Sequence, residues 1–219
     1  MDKGSCSATP DAGGACGPGK EKCCGKIIKG AILGGLVMFA WFSISWMVLP
    51  WHMASLHAFK DEKAAAEAIA ANAPDSGVYV IPYTDMGKSE QKTEKPFAFV
   101  SVYAPGLNTK EAMMPTMLKG LALYIALSAF LTCLLTKKGE AGCPVAFSAK
   151  TGLLVGLASG LPMAIWWHFP CDFVGLEILD YFVAFTLAGA VVSKAILKLK
   201  LGNCPMSACP TKGPDAEKK

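Results

Sequence analysis

The chain of 219 residues lacks arginine, has few charges and carries none of the short motifs of common enzymes. Charged residues make up 17% and hydrophobic residues 53%, whereas soluble domains carry about 25% charge. We find no Walker, dinucleotide-binding, serine-nucleophile or zinc-protease motif, which favours a non-enzymatic protein. Lysine alone lacks the planar fork that reads phosphates and bases, so we expect no nucleic-acid partner.

Four long apolar runs account for the low charge. They cover residues 27–50, 116–136, 150–169 and 173–199. About 20 helical residues cross a hydrocarbon core of about 30 Å, so each run is long enough to span a bilayer. The sequence therefore predicts an all-α membrane protein, a four-transmembrane-helix bundle with a small α+β cap between the first two helices.

Lysine distribution predicts the orientation. With both termini cytoplasmic, 14 of the 21 lysines and 6 of the 17 acids lie inside, as the positive-inside rule requires. Tryptophans are enriched at membrane–water interfaces, and four of them lie at the predicted outer boundary: Trp46, Trp51, Trp166 and Trp167. We expect a multi-pass protein of the inner (plasma) membrane. A cleaved signal peptide is the alternative for the first run, but the run is too long for one.

The segments outside the predicted spans divide into two tails, a loop and a cap. The tails, residues 1–26 and 200–219, and the loop 137–149 are predicted to be cytoplasmic. The cap, 51–115, contains an alanine-rich helix at 61–73 and two β-branched or aromatic strands at 77–83 and 97–103. Two strands are marginal alone, so the cap must rest on the membrane helices, a second copy or a partner.

A doubled GxxxG motif in the third run predicts close helix packing. The backbone is exposed along one ridge of this helix, at Gly152, Gly156 and Gly160. In a bilayer, where the hydrophobic effect does not drive helices together, small residues allow helices to associate by close packing. Packing within the bundle is one interpretation. A homo-oligomer or a partner subunit at this ridge is the other.

Two acids near the start of the fourth run form the sharpest functional signal. Glu177 and Asp180 are three residues apart and share a helix face. An unpaired charge costs about 2.5 to 3.5 kcal/mol at the membrane centre. They are candidates for a proton relay, a cation site or a partner contact, unless both simply reach the outer headgroups.

Further candidate ligands lie on the predicted outer face. They are His52, His57, His168, Cys171 and Asp172. Imidazole, thiolate and carboxylate groups can bind a transition metal or exchange protons with a quinone. His52 and His57 are five apart, about 140° around a helix, which does not favour a shared site. Ordinary interfacial anchoring is the alternative.

The remaining cysteines gather on the predicted cytoplasmic side, where thiols stay reduced. Candidate soft-metal ligands are Cys16, Cys23, Cys24, Cys204 and Cys209. Their spacing matches no standard zinc or iron–sulfur pattern, and no CxxC is present. Lipidation at Cys23 and Cys24 is the alternative. The cofactor is therefore unknown, with a transition metal as the candidate.

These patterns favour an accessory or assembly subunit of a membrane complex, with the lipid bilayer and either a membrane-protein partner or a second copy as its contacts. A small ion or metal transporter using Glu177 and Asp180 is the second hypothesis. A quinone- or haem-associated redox subunit using the histidines is the third.

Overall fold

A computed structural model describes residues 18–83, 96–106, 108–138 and 142–199, without the side chains of 18–23 and 109. In this part of the chain, the elements are α1 (Pro18–Met47), α2 (Trp51–Ser55), α3 (Glu62–Asn72), β1 (Gly77–Ile81), β2 (Ala98–Val102), α4 (Thr109–Lys138), α5 (Pro144–Trp167) and α6 (Cys171–Val192), which continues as a π-helical turn at Ser193–Leu197. The predominantly helical fold with a small two-stranded sheet is confirmed.

Four of these helices are long and apolar enough to cross a membrane. The candidate spans are Cys24–Met47, Lys110–Lys138, Pro144–Trp167 and Cys171–Leu197. Each overlaps one predicted run. Helix α5 begins at Pro144 and not at residue 150. Proline is favoured at the first helical position, and the Cys143 sulfur accepts a bond from the Ala146 amide at 3.4 Å.

Helix α6 lies between α5 and α1, and α1 also packs against α4. Buried apolar side chains from α1, α4 and α6 form the core between these helices: Met38, Phe42, Leu131, Leu135, Ala184, Phe185, Ala188 and Val192. The core is thus built on α6, the helix that carries both candidate acids.

The three glycines of the GxxxG motif, here called the glycine ridge, lie against α6. A Cβ atom at Gly156 would lie 2.9 Å from the Ile178 Cα, and one at Gly152 would lie 2.5 Å from the Tyr181 carbonyl oxygen. Both distances are too short for any side chain, so the backbones of α5 and α6 meet directly at this ridge. In the structure, the motif packs against another helix of the same chain, which is the first of the two interpretations.

The cap is smaller than a domain and rests on the α5–α6 hairpin. Strands β1 and β2 pair antiparallel, with Tyr79 opposite Val100. On β2, the Phe99 ring lies 4.6 Å from that of Trp167, and Phe97 meets His168 edge-on at 5.4 Å. Helix α3 has no buried residue. The polar stretch 84–96 between the strands is predicted to be a solvated loop, and all of it except Pro96 lies outside the described residues.

Candidate functional site: a buried carboxylate between three helices

A reversal of the chain after α1 creates the site. Helix α1 ends at Met47, the Val48 and Leu49 amides both donate to the Ile44 carbonyl at 2.9 and 3.0 Å, and α2 starts at Trp51. The sequence predicted one continuous run through residue 50, and this turn interrupts it. Because the turn folds α2 back over the end of α1, the side chain of His52 comes within 3.1 Å of Ser45.

Asp180 of α6 is the acceptor on which the neighbouring side chains converge. Its Oδ1 accepts from the Ser45 hydroxyl at 2.7 Å and from the Trp41 indole at 3.1 Å. Its Oδ2 lies 2.8 Å from His52 Nε2 and 2.9 Å from the Ser45 hydroxyl. We call these five residues, Trp41, Ser45, Trp51, His52 and Asp180, the polar clamp. It joins α1, α2 and α6.

The direction of each hydrogen bond follows from what the groups can donate. An indole N–H only donates, so the Trp51 indole gives its proton to the Ser45 oxygen at 3.0 Å. That contact leaves the Ser45 hydroxyl proton to point at Asp180. Since every neighbour presents a donor, the arrangement fits an ionised carboxylate with His52 Nε2 carrying a proton.

The other imidazole nitrogen has a different environment. Among the described residues, His52 Nδ1 is buried and has no hydrogen-bond partner. In the neutral ring this atom carries a lone pair, and in the charged ring it carries a proton. Among the described residues, Nδ1 is therefore an open hydrogen-bonding position of the clamp, whereas Nε2 and the carboxylate are engaged.

Aromatic rings enclose the pair. The Trp46 ring stacks on His52 with centroids 4.0 Å apart and planes 8° apart, and Trp51 meets the imidazole edge-on at 6.3 Å. His52 and Asp180 are both 0% exposed. Trp46 and Trp51, predicted only as boundary anchors, are thus walls of the clamp.

The second candidate acid lies in a different place. Glu177 is partly buried and lines a groove of about 300 Å³ between α5 and α6. Its neighbours in the groove include Gly160, Met163, Phe169, Phe173 and Tyr181. We call this the Glu177 groove. In the described part of the chain, Glu177 has no hydrogen bond or ion pair, whereas Asp180 is saturated with donors.

The other outer-face candidates do not join the clamp. His57, His168, Cys171 and Asp172 are all exposed, and Cys171 and Asp172 line a shallow groove beside Trp51. Within residues 18–83, 96–106, 108–138 and 142–199, no three His, Cys, Asp or Glu side chains are grouped to hold a metal ion. Of the five outer-face candidates, only His52 contacts an acidic side chain in the described part of the chain, namely Asp180.

The tail cysteines remain predictions. Cys16, Cys204 and Cys209 lie outside the described residues, as does the side chain of Cys23, whereas Cys24 is a free, exposed thiol. The expectation that the cytoplasmic cysteines remain thiols is wrong for Cys143, which is disulfide-bonded. Disulfides are rare in reducing compartments.

Ser45 and Trp41 were absent from the sequence-based site. Both lie in an apolar run, and the signal that could have found them is their spacing: residues four apart on a helix share a face. A serine and an indole on one face of a membrane helix need a polar partner. Sequence alone does not say that the partner is Asp180, which lies 135 residues after Ser45.

Comparisons with protein-family models, curated proteins and solved structures give no match for this chain.

Proposed function

We propose that the protein is a small ion-transporting membrane protein in which the polar clamp binds and releases a proton. The observation that carries the proposal is the buried His52–Asp180 contact at 2.8 Å with a partnerless Nδ1. Ionisable groups within membrane segments are expensive and are concentrated in ion pathways and proton relays.

Charge compensation supports this role. A proton on Nδ1 gives an imidazolium beside a carboxylate, so the clamp is neutral overall, and loss of the proton leaves one negative charge shared among Trp41, Ser45 and His52 donors. Both states keep the same contacts to Asp180. Because the ring is fully buried, exchange with water requires α2 to shift, and α2 is only five residues long.

Proton flux in proteoliposomes tests the proposal. A pH-sensitive dye inside the vesicles should report flux driven by a membrane potential for the wild type. His52→Gln should abolish it, because the amide can still donate to Asp180 but has no nitrogen that titrates. Asp75→Asn, at an exposed carboxylate of the cap, is the matched control and should behave like wild type. Wild-type flux in folded His52→Gln protein, or none in the wild type, would contradict the proposal.

An accessory-subunit role is the second candidate, and one observation favours it. Helix α3 has no buried residue: most of its alanines are exposed and Ile69 is half-buried, so this face is available to a partner. Ile69→Glu should then release a partner that co-purifies at a fixed ratio with wild type, while Glu67→Gln on the same helix should retain it. Retention by both variants would remove this support.

For localisation we propose the inner membrane, with both termini in the cytoplasm. The excess of lysines on that side supports this orientation, and the disulfide-bonded Cys143 opposes it. Labelling of the free thiols Cys24 and Cys171 from outside the cell decides between the two orientations.

A further inference from the structure

The Glu177 groove has the size and position of a small-molecule site. It holds about 300 Å³, at the lower end of the range of ligand pockets. Glu177 is six residues after the start of α6 at Cys171, about 9 Å along the helix axis. The groove therefore opens on the flank of a candidate span near the α5–α6 hairpin, below the cap.

The charge of the groove is unbalanced. Among the described residues, Glu177 is the only charged one in its wall. Ser159, also in the wall, already donates its hydroxyl to the Gly156 carbonyl at 3.1 Å. A carboxylate in an apolar groove of a membrane segment is costly without a counter-charge, and none of the described residues that line the groove is basic. A bound cation would supply the missing positive charge.

Aromatic rings define what kind of cation fits. The rings of Phe169 and Phe173 lie 6.0 Å apart, tilted by 47°, and Tyr181 lines the same groove. Ring faces attract cations, and quaternary ammonium groups are bound in this way. A hard, hydrated metal ion would instead need several oxygen ligands, and the groove provides one carboxylate.

We propose that the Glu177 groove binds a monovalent organic cation with an apolar or aromatic body, such as a quaternary ammonium compound. Glu177 pairs with the charge, and Phe169, Phe173 and Tyr181 pack on the body. The site is separate from the polar clamp, so the proposal does not rest on proton transfer.

Calorimetry on the full chain in phosphatidylcholine nanodiscs tests the proposal, with empty nanodiscs as the blank. The probe is benzyltrimethylammonium, and phenylmethanesulfonate is an anion of similar size. Wild type should bind the cation saturably at one site and should not bind the anion. A second titration in phosphatidylethanolamine nanodiscs, which lack quaternary ammonium headgroups, shows whether a choline headgroup competes with the free cation for the groove.

Glu177→Gln should weaken binding about tenfold or more, equivalent to about 1.4 kcal/mol. Glu111→Gln, at an exposed acid in the first turn of α4, is the matched control and should bind as wild type does. Phe173→Leu, which keeps Glu177, should weaken binding severalfold. Binding by a wild type that shows no proton flux, or flux without binding, separates failure of this proposal from failure of the proton hypothesis. Equal affinity of wild type and both groove variants, equal binding of the anion, or no saturable binding would overturn it.

Discussion

Removal of the Asp180 carboxylate should destabilise the bundle through the donors that it leaves behind. In Asp180→Ala, the Trp41 indole, the Ser45 hydroxyl and His52 Nε2 all lose their acceptor. Ser45 and His52 are fully buried, and Trp41 is partly buried. Polar contacts in membrane proteins contribute about 0.6 kcal/mol each, which gives about 2 kcal/mol for three donors. Loss of one partner of a buried ion pair costs about 3 to 5 kcal/mol. We expect the free energy of unfolding to fall by about 2 to 5 kcal/mol.

A double-mutant cycle separates the clamp from general loss of packing. His52→Ala should cost much less in the Asp180→Ala background than alone, with a coupling energy of at least about 1 kcal/mol, since contacting residues couple by about 0.5 to 3 kcal/mol. Glu177→Ala, one turn earlier on α6 and without a polar partner among the described residues, is the control and should cost less than about 1 kcal/mol.

The assay is unfolding in mixed micelles with increasing sodium dodecyl sulfate, followed by tryptophan fluorescence. Trp41 and Trp51 donate within the clamp, so their emission reports its opening directly. Additive effects of Asp180→Ala and His52→Ala, within about 0.3 to 0.5 kcal/mol, would refute the coupling on which the clamp is argued. A cost for Glu177→Ala equal to that for Asp180→Ala would refute the distinction between the two acids.

Three further variants test the packing of the helices, and thiol labelling tests the orientation of the chain. Gly156→Ala should lower stability by about 1 to 3 kcal/mol through overpacking against α6, whereas Gly175→Ala, with nothing within 4 Å of the added Cβ, should leave stability unchanged or raise it by up to about 1 kcal/mol. Thr132→Val should raise the midpoint of unfolding, because the buried hydroxyl of Thr132 has no partner in the described chain and such a group costs about 1 to 3 kcal/mol. A membrane-impermeant maleimide added outside intact cells should label Cys171 and spare Cys24, both free and exposed; the reverse pattern would show that the termini are outside.

The sequence predicts the four long helices but not the residues at which they begin and end. Charge-poor runs predicted all four long helices, because the length needed to cross a bilayer is fixed. Lys150 was read as the start of the third helix, yet α5 begins at Pro144, since helix starts depend on capping and proline chemistry more than on charge. The turn at Val48–Pro50 was missed because an apolar pattern does not show where a chain reverses.

The candidate site was predicted in part for a related reason. The spacing of Glu177 and Asp180 placed both on one face, but three residues are 300° of rotation, which leaves the side chains about 60° apart. That angle is enough to direct Asp180 into the α1–α2 contact and Glu177 into the groove beside α5. The partner of Asp180 could not be predicted, because His52 is 128 residues away and only the tertiary fold brings them together.

The two contacts of α6 are held by different forces, and the difference has a functional consequence. Against α5, the glycine ridge brings backbone to backbone, a contact of many small attractions that does not change with protonation. Against α1 and α2, the polar clamp depends on directed hydrogen bonds among a carboxylate, an imidazole, a hydroxyl and two indoles. Loss of His52 or Asp180 should therefore loosen the contact of α6 with α1 and α2, while the glycine ridge keeps the α5–α6 pair together.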